Sequence, residues 1–282
     1  KGVGRTYMTV GEIINAIKQR SGATVNLAIS GDRLICGKEE NEVRKIATTF
    51  MATCDVIAKA AEQGVNLIIT HEPTYFTGPD RLDWLEEDPV YQKKKAFIDK
   101  VGINVWRFHD YMHLALEGDL IMEGMFHEFG WTWRQKDLLG TAENLKQFTS
   151  EIPPTKLLDL VENLKKKLNL PMLRYIGDPD MICRKVGLLP GGSCTLLDDE
   201  ERPMISMEQS GMDFAICGDI HEWTMPAYIR DAYQMGMAKA MIIPGHDRTE
   251  EAGMKYLHTW LQPLVGDIPI VFLESGDPFQ YA

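Results

Sequence analysis

The chain has 282 residues, 44% of them hydrophobic and 25% charged, with a formal net charge of −11. That length supports one large core or two modest ones, and the composition speaks against a disordered chain; the acidity speaks against wrapping a nucleic-acid backbone. No apolar run approaches the roughly 20 residues of a membrane span, no N-terminal signal segment is visible, and five scattered cysteines without a CxxC pair read as the reduced thiols of a cytoplasmic protein.

Thr9 to Arg20 reads as a helix, with Val10, Ile13, Ile14 and Ile17 at helical spacing. Thr24 to Ser30 (TVNLAIS) reads as a strand and Glu42 to Gln63 as a long helix stopped by Gly64. Val65 to Thr70 (VNLIIT) and Ile103 to Phe108 (INVWRF) are short apolar runs suited to buried parallel strands. Leu116 to Phe129 and Thr155 to Leu168 read as helices around a looser stretch, Gly130 to Pro154. Asp213 to Cys217 and Lys239 to Ile243 look like further strands, with a helix from Pro226 to Met235 between them. A helix from Glu250 to Leu261 and a strand from Ile268 to Leu273 close the chain. Strands alternating with helices predict an α/β fold built from βαβ units. The expected organisation is a main domain of residues 1–115 and 211–282, with a second lobe, 116–210, inserted between its halves.

Four of the seven histidines fall in three short clusters, each just after an expected strand. His71-Glu72 follows VNLIIT; His109 follows INVWRF, with His113 four residues on; His246 follows KAMII and Pro244-Gly245, with Glu250 four residues on. In open α/β sheets ligands bind at the carboxyl ends of strands. An i, i+4 pair on a helix shares one face, so His246 and Glu250 can reach a common point if a helix starts near Asp247. Imidazoles and carboxylates together suit one or two divalent transition-metal ions: Zn²⁺, Mn²⁺, Fe²⁺ or Ni²⁺. Singly, each histidine is as readily a hydrogen-bonded loop residue; the joint pattern points to metal.

The stretches IITHEPTYF, WRFHDYMHL, LEGDLIMEGMFHEFGW, LLPGGSC, DFAICGDIHEW and IIPGHDRTEE together resemble the NIF-three-like (NGG-one-interacting factor three-like) family, whose members carry the name GTP cyclohydrolase 1 type 2. The resemblance runs along most of the chain in the family's order, weakest over Gly130 to Pro171. It implies a NIF-three-like fold of two interlinked α/β lobes, with the metal site at strand C-terminal ends, and a ring-shaped homo-hexamer. Two positions depart from the family pattern: its second histidine is Glu72 here, and its aspartate four residues after the second motif histidine is His113. Together these exchange a carboxylate and an imidazole. The set His71, Glu72, His113, His246 and Glu250 thus keeps the three histidines and two carboxylates that the resemblance implies for a dinuclear centre.

His109 reads either as orienting His113 or facing substrate, or as a plain strand-end histidine; Asp110 is an alternative ligand. Asp219, His221 and Glu222 sit in GDIHEW at the same expected edge. Any of them suits proton transfer, and helix capping by Asp219 is the plainer alternative. The Gly-rich LPGGSC reads as a turn. These residues predict a metal-dependent hydrolase for a small polar, phosphorylated or nucleotide-like substrate, with His109, His221 and Glu222 as proton-transfer residues. The resemblance admits GTP ring opening. A metal-binding adaptor or metal-delivery protein without turnover is the competing expectation.

Overall fold

The structure is a computed structural model that describes residues 7–132, 149–195 and 199–282. It divides into two compact units: residues 1–121 with 253–276, and residues 122–252 with 277–282. The division differs from the expected insertion of 116–210, because strands in the 211–252 segment hydrogen-bond to strands before it.

In unit 1, β1 (Met8–Thr9) pairs antiparallel with β3 (Glu42–Val43). Between them lie α1 (Val10–Ser21) and β2 (Arg33–Cys36). Helix α1 starts where the sequence predicts. Thr9 and Glu12 form a reciprocal capping box, and Gly22 closes the helix in the left-handed conformation. The expected strand TVNLAIS is instead a turn. The Asn26 carbonyl accepts from the Ile29 and Ser30 amides, its side chain from Ala28, and Leu27 and Ile29 are 57% and 81% exposed. An asparagine that bonds its own backbone two residues on outcompetes the β-branched pattern.

The expected long helix from Glu42 is also corrected. It contains β3, β4 (Ile46–Thr49) and α2 (Cys54–Glu62). Ile46 to Thr49 is fully buried and sits between two parallel partners, so the β-branched run takes a central strand. Thr53 then caps α2 through the Val56 amide. Next come β5 (Leu67–Thr70), α3 (Pro89–Val101), β6 (Asn104–Arg107) and the single-turn α4 (Asp110–His113). The unit's sheet has the order β12-β4-β5-β6-β2, where β12 is Ile270–Phe272. All its pairings are parallel except β2 with β6. Alternate strand residues feed two cores: Ile46, Leu67, Ile69 and Trp106 on one face, Ala47, Ile68 and Val105 on the other. Both faces are covered, as a parallel sheet requires.

Helix α5 (Leu120–Phe129) starts four residues later than expected. Residues 133–148 of the expected loose stretch lie outside the described residues, and its end is a strand, β7 (Thr149–Lys156). Unit 2 continues with α6 (Leu157–Lys167), β8 (Arg174–Ile176), β9 (Ile182–Leu189), α7 (Arg202–Ser210), β10 (Phe214–Cys217), α8 (Met225–Gln234) and β11 (Ala240–Ile243). Its sheet runs β7-β9-β10-β11-β8. Strands β9, β10 and β11 are parallel, and antiparallel β7 and β8 lie at the edges. Helix α9 (His246–Val265) begins at the histidine itself. No helix among the described residues is long and apolar enough to cross a membrane.

Candidate metal centre

In unit 1, parallel β5 and β6 end in register, Thr70 opposite Arg107. The residues that follow, His71 and Phe108-His109, therefore emerge at the same edge. His71 is fully buried, and its Nδ1 faces the Phe108 carbonyl at 3.1 Å. A carbonyl only accepts, so Nδ1 is the donor of this bond. His113, in the turn of α4, directs Nδ1 to Asp119 at 2.9 Å. Asp119 is fixed in turn by the Ile121 amide, also at 2.9 Å. His109 directs Nδ1 to Asp110 at 2.7 Å.

The three rings touch. Ring centroids are 4.6 Å apart for His71 and His109, 5.0 Å for His71 and His113, and 4.9 Å for His109 and His113. One ligand atom from each of the three lies within 4.8 Å of the others, a separation that one ion can bridge. Burial pushes the His109 pKa down, and the two neighbouring imidazoles add to this against the pull of Asp110 and Glu72. The hydrogen bond from His109 holds the Asp110 carboxyl down at about 2. The cluster therefore holds neutral His109 beside ionised Asp110 at pH 7, the protonation states metal binding needs.

Two buried side chains hold the cluster in place. Asp32 accepts from the His109 and Asp110 amides at 2.9 and 2.6 Å, which fixes the start of α4. Arg107 Nε donates to the His71 carbonyl at 3.0 Å, and its Nη1 bonds the Gly78 carbonyl. Its Nη2 lies 3.5 Å from Glu72 Oε2. A guanidinium that is 4% exposed at this point favours a carboxylate over an imidazole. Arg107 thus supplies a physical reason for Glu72, as Asp119 does for His113.

In unit 2, parallel β10 and β11 deliver Asp219 and His246 to one edge. His246 Nδ1 bonds Asp219 Oδ2 at 2.7 Å, and its Nε2 lies 3.1 Å from Glu250 Oε2 one helical turn on. Asp219 therefore orients His246 and does not cap α8, whose N-cap position is Thr224, without a side-chain capping hydrogen bond. The loop Leu189 to Cys194 is more than a turn. Gly191 has φ +52°, and a Cβ there would lie 2.1 Å from Glu250 Oε1 and 2.9 Å from His246 Nε2. Glycine lets the backbone pack directly against the pair. His221 stacks on the exposed Trp223 at 4.7 Å and faces Glu200 at 4.0 Å, while Glu222 lines an open cleft. These contacts bring neither His221 nor Glu222 onto the His246–Glu250 pair.

The Asp32, Arg107, Asp119 and Gly191 roles were not read from the sequence. The signal for Asp119 was present, six residues after His113 in LEGDL; the others need the fold.

A family model described as Duf34/NIF3 (NGG1p interacting factor 3) matches residues 8–278. The chain belongs to this family. A Clostridium perfringens relative named GTP cyclohydrolase 1 type 2 homolog is 24% identical over 278 residues, 97% of this chain and 100% of the relative. A Clostridium acetobutylicum protein of the same name is 23% identical over 97% of the chain and 99% of its own length. Among solved structures, Staphylococcus aureus protein SA1388 superposes with a TM-score of 0.70 at 19% identity, covering 98% of this chain and 99% of its own. The NIF3 fold expected from the sequence is thus the fold observed.

Proposed function

We propose that this NIF3 family chain is a metal-dependent hydrolase acting on a small polar or phosphorylated, nucleotide-like substrate. Its ligands are His71, Glu72, His113, His246 and Glu250, holding one or two divalent ions of the Zn²⁺, Mn²⁺, Fe²⁺ or Ni²⁺ class. One observation carries this reading. His71, His113 and His246 each have Nδ1 against a carbonyl or carboxylate, so each ring is oriented from behind, and ligand atoms of His71, His109 and His113 lie within 4.8 Å of one another. Acceptors behind imidazoles are the usual support of metal-ligating histidines. The mixed N/O donor set suits first-row divalent ions.

Such ions supply Lewis acidity and a hydrolytic nucleophile at neutral pH. The chain's own residues would move protons. His109 is held neutral by burial and can accept one. His221, steadied by Trp223, and Glu222 are the proton-transfer residues on the unit 2 side. Hydrolytic opening of the GTP ring, suggested by the names of the clostridial relatives, is one reaction of this class. A homo-hexamer belongs to the same proposal and is tested by sedimentation. The deciding experiment is elemental analysis of wild type and His246→Ala. About two equivalents of metal in wild type, lost or halved in the variant, is expected. No metal in wild type after reloading would overturn the reading.

A further inference from the structure

We infer that unit 2 carries a binding cleft for the phosphate group of a small molecule with an apolar body, built beside His246 from residues that are not metal ligands. The cleft measures about 540 Å³, a size that suits a small ligand. Arg174 and Arg230 line it together with Tyr175, Glu222, Ile220 and Ile243. Its place follows from the sheet. Arg174 sits on the edge strand β8 opposite Ile243, the last residue of β11 and three positions before His246. Ile220 and Glu222 follow directly on Asp219, which orients His246. The cleft therefore opens at the same strand edge as the His246–Glu250 pair.

Neither guanidinium makes a hydrogen bond or ion pair with another described residue, although unit 2 is rich in carboxylates. Arg202, Lys156 and Lys239 of the same unit are each paired. Two unengaged forks that line one cleft match a phosphate, which accepts parallel N–H bonds from each. The isoleucines and the Tyr175 ring offer a surface for an apolar or aromatic body. Glu222, the only carboxylate among the described residues that line the cleft, opposes the anion, so its charge sets a sign that can be tested. That this cleft recruits the substrate of the proposed hydrolase rests on the hydrolase reading; its affinity for a phosphate does not.

The test is calorimetric titration of the full-length protein with inorganic phosphate and with phenyl phosphate, before and after metal removal by chelation. The expected result is tighter binding of phenyl phosphate than of inorganic phosphate, unchanged by chelation. Arg174→Gln and Arg230→Gln should each weaken it about tenfold or more, the loss of a charge-assisted contact. Glu222→Gln should tighten it several-fold. All three side chains lie at the surface, so these variants fold. Equal affinity in wild type and the double arginine variant overturns the proposal. Binding that survives in that variant but vanishes on chelation places the phosphate on the metal; this also overturns the cleft and leaves the hydrolase reading standing. Binding that persists in a wild-type protein unable to take up metal keeps the cleft and removes the hydrolase.

Discussion

In unit 1, His71 is fully buried and its ring neighbours are two more imidazoles. In unit 2, the His246 side chain is 30% exposed and its neighbours are the carboxylates of Asp219 and Glu250. Both histidines follow central parallel strands, and both have Nδ1 held by an acceptor. What differs is how each unit makes room. Unit 1 packs three rings together, one fully buried and two half-buried, and anchors the surrounding loops with buried Arg107 and Asp32. Unit 2 brings a bare stretch of backbone against the pair at Gly191. His109, with burial and two imidazoles against it, is costly to charge, whereas a pair with backbone packed against it is costly to crowd. The same donor chemistry is thus vulnerable to protons in one unit and to added atoms in the other.

The comparison breaks most sharply at Gly191. Gly191→Ala places a methyl 2.1 Å from Glu250 Oε1 at a residue with positive φ. It should lose the unit 2 share of metal in elemental analysis and lower stability by about 1–3 kcal/mol. Gly64→Ala, also at positive φ but with nothing within 4 Å, is the control that isolates backbone strain and should retain metal. Next in size come the two orienting carboxylates. Asp219→Asn and Asp119→Asn should each weaken metal affinity by about 10–100-fold in competition titrations. Asp119 is the more buried, with 11% of its side chain exposed against 50% for Asp219, so its loss should be the larger.

The smallest effect is on pH dependence. Because burial lowers the folded-state pKa of His109, the unfolded chain takes up a proton first as pH falls. Its contribution to stability is fully present above the ordinary value of 6.5 and is lost as pH falls through that value toward the folded pKa. Metal-free protein melted across this window should show a shallower slope in His109→Asn than in wild type. An unchanged slope would mean that folding leaves the His109 pKa where it stands in the unfolded chain.

Much of this was legible in the sequence where one signal dominated. VNLIIT, INVWRF, DFAIC and KAMII became the four strands that end at candidate ligands, because a buried parallel strand leaves an unbroken apolar run. His246 and Glu250 share a helix face because their spacing fixes it. The readings that failed had two competing signals. TVNLAIS carries β-branched residues, but Asn26 bonds its own turn. The segment after Glu42 has helical apolar spacing, yet Ile46 to Thr49 is claimed by two parallel partners distant in sequence. Arg107 is invisible without the fold, since its hydrogen bonds to His71, Gly78 and Glu72 reach back between 29 and 36 positions along the chain.

Gly191 and Gly218 carry one more consequence. A Cβ on Gly218 would lie 2.3 Å from the Gly191 carbonyl oxygen, so the loop is pressed between Gly218 on one side and Glu250 on the other. The obstacle at Gly218 is main chain, which cannot swing aside; at Gly191 it is the positive φ together with the Glu250 carboxylate, which would have to leave its place beside His246. Single-step drift is closed at both positions. Unit 1 accommodates a carboxylate at Glu72 and an imidazole at His113 because each has a matching neighbour in Arg107 and Asp119, whereas this loop cannot be thickened by one carbon without displacing the pair it cradles.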